Sequence, residues 1–151
     1  MTAGAVTRSY LLLGGALLIS VLPLPLAAGF WQPPWLAVTL IWLSITAPED
    51  ARLIVAAIAG LIQDLLLGTP LGLHALGATL LVFLAINVRH WIVSSPPWLR
   101  FLLAMAMMTM YLTVVALIGG WFNHPGSWGG TASSLMSGGI LILISFLFLR
   151  V

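Results

Sequence analysis

Formal charge is almost missing from the long stretches of this chain. No Asp, Glu, Lys or Arg falls between Arg8 and Glu49, or between Arg100 and Arg150. Between Arg52 and Arg89 there is one, Asp64. A soluble domain carries about 25% charged residues; here the figure is 5%, with 62% hydrophobic residues over a length of 151. No water-facing surface can be assembled from such material, so the solvent for most of the chain is lipid. In lipid every backbone N–H and C=O must be paired within the protein, and apolar runs of this length answer that demand as helices.

Prolines and glycines cut the apolar sequence into six expected spans, at about residues 10–26, 35–47, 51–67, 73–93, 98–120 and 131–148. Pro23 and Pro25 end or kink the first, because proline lacks the donor that a helix interior needs. Arg8, the apolar run after it and Pro25-Leu-Ala-Ala28-Gly resemble a signal peptide, but the run is long enough to span and more spans follow. We read it as an uncleaved first helix. Pro33-Pro34-Trp35 starts the second, where a missing N–H is tolerated. That span is short, so the bilayer is expected to thin there or residues from Phe30 onward to dip in. Trp42 falls inside it and is expected to pack on another helix. The methionines at 105, 107, 108 and 110 read as adaptable packing.

The basic residues, all arginine, set the orientation. With a cytoplasmic N-terminus, Arg8, Arg52, Arg89, Arg100 and Arg150 all lie on or beside the cytoplasmic side. Trp31, Trp35, Trp121 and Trp128 then fall near the outer interface, and Trp91 and Trp98 near the inner one. The expected fold is an all-α membrane protein: six transmembrane helices in one compact bundle over residues 1–151, both termini cytoplasmic. The arginines form no patch or stripe, so the basic balance does not point to nucleic acid. Cysteine is absent, which excludes disulfides and thiolate chemistry.

The chemistry concentrates in Gly60-Leu-Ile-Gln-Asp64-Leu-Leu-Leu-Gly68-Thr-Pro70-Leu-Gly72-Leu-His74. Asp64 lies roughly 18 Å along a helix from Arg52, in the outer leaflet. A carboxylate there is costly unless paired, hydrated or protonated. Asp64 and His74 are equally far from Thr69, the middle of a turn carrying Gly68, Pro70 and Gly72. Two antiparallel helices joined there would bring the pair to one depth, as a polar lock. Plain hydration, contact with another protein and a proton or substrate role are the other readings of Asp64. Gln63 is expected to face elsewhere, toward a neighbouring helix or lipid headgroups.

Small residues mark candidate packing faces or partner grooves: Gly14 and Gly15, Ala56 and Gly60, Ser133 and Ser137. Other chemistries fail. Gly126-Ser127-Trp128-Gly129 does not fit the Gly-x-Ser-Gly context of rhomboid proteases. His74, His90 and His124 cannot share a metal, because His90 falls on the opposite membrane face. No enzyme activity, cofactor or metal is expected.

Residues 32–91 resemble the core of the rod-shape-determining MreD family. The resemblance rests on Pro34-Trp35 opening an apolar helix, a short turn with Pro48, Gly60-Leu-Ile-Gln-Asp64-Leu, Gly68-x-x-Leu71-Gly72, and the Ala/Gly-bearing helix from Leu73. It implies a non-enzymatic scaffold of the cell-elongation complex in the bacterial inner membrane. Such a scaffold docks MreC and supports the actin-like MreB, the glycosyltransferase RodA and a penicillin-binding transpeptidase in peptidoglycan synthesis and cell shape. Membrane lipids, and a second copy in a homodimer, are further contacts open to such a chain. The family is similar in fold to the six-helix substrate-binding subunits of energy-coupling-factor vitamin transporters, and that gives the alternative reading, a small-molecule transporter subunit. The few polar groups on the outer side are thin for such a site.

Overall fold

The computed structural model describes residues 3–21, 34–47, 53–121 and 139. The described residues are all-helical, in five helices: α1 (Ala3–Val21), α2 (Trp35–Thr46), α3 (Leu53–Leu67), α4 (Leu73–Ser94) and α5 (Pro97–Trp121). Two segments, Leu73–Ser94 and Trp98–Trp121, are long and apolar enough to cross a bilayer. The expected sixth span at 131–148 lies outside the described residues, except for Gly139, which is helical and packs on Met105 of α5. α1 begins at Ala3 rather than near residue 10. Nothing in Ala3–Ser9 breaks a helix, so Arg8 falls within the first helix instead of before it.

α3 and α4 form an antiparallel hairpin, α5 returns along α4, and α2 packs on α1 and α4. The core joins Leu36, Leu40, Ile41 and Leu43 of α2 to Ala78, Leu81, Val82 and Ala85 of α4 and to Ala104, Met108, Tyr111 and Leu112 of α5. Trp42 packs against this core. α2 has only 12 residues, or about 18 Å of helix. Its buried face includes Leu36, Ala37, Leu40, Ile41, Leu43 and Ser44, the last satisfied by Leu40 O at 2.7 Å. Trp35, Val38, Thr39, Trp42 and Ile45 of the same helix are half-buried, and Thr46 is exposed.

α3 shows the solvent most plainly. It buries Ala56, Ala59, Gly60, Gln63 and Asp64. It exposes Leu53, Ile54, Ile58, Leu61, Ile62, Leu65 and Leu66, with Ile54 at 71%. A helix in water does the reverse. Small and polar residues inside with branched apolar ones outside is the arrangement that lipid favours, because close packing rather than hydrophobicity holds such helices together.

Arg89 ties two helices at the other end of the bundle. Its Nε donates to Ile45 O at 2.9 Å, supplying one of the carbonyls left open at the end of α2 and placing a cation at that helix's negative end. Arg89→Ala is expected to cost about 1–2 kcal/mol. Thermal unfolding in detergent checks this; an unchanged midpoint would show that the bond contributes nothing.

Candidate functional site

The hairpin is built by two glycines with left-handed backbones. Gly68 (φ 65°) ends α3, and Thr69 N donates back to Asp64 O at 3.0 Å, closing a Schellman cap. Gly72 (φ 100°) precedes α4, in a turn closed by Leu73 N to Pro70 O at 3.2 Å. Positive φ at this third turn position is the requirement that glycine meets without strain. The two turns aim the last part of α3 at the start of α4.

Asp64 is the result. It is fully buried, and its carboxylate accepts from Thr69 Oγ1 (2.9 Å), Gly72 N (2.9 Å), His74 N (2.9 Å) and His74 Nδ1 (2.7 Å), with Ala75 N at 3.5 Å. Gly72 gives α4 no side-chain cap of its own. Asp64 does that work from the neighbouring helix, satisfying amides at the start of α4 and meeting the positive end of its dipole. The hydrogen bonds to its carboxylate come from the turn and the start of α4.

The backbones approach closely just below. A Cβ on Gly60 would lie 2.4 Å from Ala75 Cα and 2.6 Å from Ala75 N. Ala56, one turn earlier on the same face, is also buried. At Gly60 this small-residue face is therefore filled by α4. Gly77 plays the matching part toward α5, where its Cβ would meet the Tyr111 ring at 3.0 Å. Gly14 and Gly15 differ: among the described residues, nothing lies within 4 Å of a Cβ built on either. Ser133 and Ser137 lie outside the described residues.

Thr69, at the middle of the turn, is a partner of Asp64 that spacing does not reveal: its hydroxyl donates to the carboxylate. Gln63 is 4% exposed, which agrees with a place against a neighbouring helix, one of the two expected for it, and not with lipid headgroups. Its spacing from Ala56, Ala59 and Gly60 places it on their face, and that period was the available signal. Among the described residues, no three His, Cys, Asp or Glu side chains come together as a metal site would need.

A family model for the rod shape-determining protein MreD matches residues 5–150, nearly the whole chain. The chain belongs to the MreD family. No curated protein and no solved structure gives a significant match. MreD proteins are membrane proteins that act in rod shape determination, and the lipid-facing surface of α3 agrees with that setting. The match covers both sides of the Asp64–His74 hairpin, so that pair lies within the MreD portion of the chain.

Proposed function

We propose that this MreD protein is a non-enzymatic scaffold of the bacterial cell-elongation complex, a single domain of six spans in the inner membrane with both termini in the cytoplasm. It docks the membrane helix of MreC and through it supports MreB, RodA and a penicillin-binding transpeptidase. Family membership carries this reading. The bundle supports it physically: the one buried carboxylate among the described residues is consumed in capping α4, which suits a rigid platform better than a reaction centre.

Of the candidate grooves, the α1 face at Gly14 and Gly15 is the one we assign to MreC. It is open among the described residues and is flanked by Leu11 and Leu18, exposed at 71% and 70%. A partner helix can approach a glycine pair closely enough for backbone contact, which lipid tails cannot match. A photo-crosslinker at Leu11 or Leu18 is expected to trap MreC in native membranes, and one at Ile58 of α3 is not. Gly14→Leu with Gly15→Leu should leave the melting temperature unchanged and reduce MreC recovery roughly tenfold, the loss of one well-packed helix contact worth about 1.4 kcal/mol. Full recovery of MreC with this double variant would remove α1 as the docking face.

A further inference from the structure

The two ends of α4 present unlike surfaces. Its last two turns are polar, with Asn87, His90 and Ser94 exposed and Arg89 half-buried. Its start, and the turn that joins it to α3, expose leucine: Leu65 and Leu71 at 69%, Leu66, Leu67 and Leu76 beside them. Residues 65–73 include no charged side chain, no Trp and no Tyr. The polar groups of this turn point inward. The Thr69 hydroxyl and the amides of Gly72 and His74 donate to the Asp64 carboxylate. Thr69 N donates to Asp64 O, and Leu73 N to Pro70 O. Pro70 has no N–H to satisfy. A turn in water needs neither donors gathered inside nor a surface of leucine; a turn that meets lipid needs both.

Helix lengths lead to the same place. α3 has 15 residues, about 22 Å of helix. In α4 the apolar part, residues 73–86, covers about 20 Å before Asn87 begins the polar end. The hydrocarbon of a bilayer is about 30 Å thick. Both arms of the hairpin fall roughly 10 Å short of it, and the leucines of the turn are placed to fill the difference. We infer that the α3–α4 turn is seated in the acyl chains just inside the hydrocarbon boundary, where Leu65, Leu66, Leu67 and Leu71 complete the crossing, and that it does not emerge as a loop in water. The last carbonyls of α3 need donors, as at any helix end, and this holds the turn at the boundary within reach of headgroups. The inference depends neither on which face docks MreC nor on which side of the membrane the turn lies.

The chain has no cysteine, so a single introduced cysteine can carry a nitroxide with no other change. Leu65→Cys and Leu71→Cys replace exposed side chains and give two independent probes of the turn. Ser94→Cys, exposed at the other end of α4, is the control. Electron paramagnetic resonance of the full chain in nanodiscs then compares collisions with oxygen, which concentrates in hydrocarbon, and with a neutral nickel chelate, which stays in water. The oxygen-to-nickel ratio at both turn positions should exceed that at Ser94 roughly tenfold, as a place in hydrocarbon requires. In nanodiscs of shorter acyl chains it should fall toward the Ser94 value, because a thinner bilayer leaves less to fill. A ratio at the turn equal to that at Ser94 in long-chain lipid would put the leucines in water and overturn the inference. Few collisions with either reagent would mean that protein, such as a second copy of the chain, covers them, and would overturn it too. A ratio indifferent to chain length would refute the short-span argument.

Discussion

Asp64→Leu is expected to destabilise the protein by about 3–5 kcal/mol, the cost of leaving buried donors without their charged acceptor. Leucine fits the space poorly as chemistry even where it fits as volume. The amides of Gly72 and His74, the Nδ1–H of His74 and the Thr69 hydroxyl would all lose their acceptor at once. In a bilayer, water cannot readily replace it. Asp64→Asn keeps one acceptor oxygen but turns an NH2 group toward other donors, so it should fall between wild type and leucine. His74→Ala removes one bond and leaves the backbone amide of residue 74 capped, so its cost should be about 1–2 kcal/mol. Thermal unfolding in mild detergent checks the order. Equal midpoints for Asp64→Leu and His74→Ala would mean that the carboxylate serves only the histidine and does not cap α4.

Gly60→Val is the second large effect. Any Cβ at this position meets the backbone of Ala75, with Cα at 2.4 Å, and backbone cannot rotate away as a side chain can. α3 and α4 must separate, and Asp64, one turn further along α3, then loses its grip on the start of α4. We expect a loss of about 3 kcal/mol or more, at the upper end for overpacking. Gly60→Ala should cost less but still be clearly destabilising. A native melting temperature for Gly60→Val would show that the hairpin is looser than its geometry. Because this residue acts inside the hairpin, any loss of partner recovery in a Gly60 variant reports the fold first. The Gly14 and Gly15 variants are the cleaner probe of docking.

Much of this is legible in the sequence. Proline and glycine placement marked helix ends, and the symmetry of Asp64 and His74 about Thr69 brought those two together. Symmetry gives a pairing, however, and not its geometry. That Asp64 caps α4 depends on two left-handed glycines whose φ values no spacing rule specifies. The use of Gly60 was ambiguous for a different reason. A small-residue face looks the same whether a helix of the same chain or of a partner fills it, and only the position of Ala75 decides. The fit of Tyr111 against Gly77 is out of reach of spacing, because it depends on how α5 packs on α4.

The most direct test of the central claim is a mild-detergent purification of the tagged protein from its native membranes, with mass spectrometry of what accompanies it. The scaffold account predicts MreC as the principal companion, with or without RodA and a penicillin-binding transpeptidase. Recovery of ATPase and coupling subunits in place of MreC would contradict it, and would make the polar end of the bundle at Asp64 the mouth of a transport site.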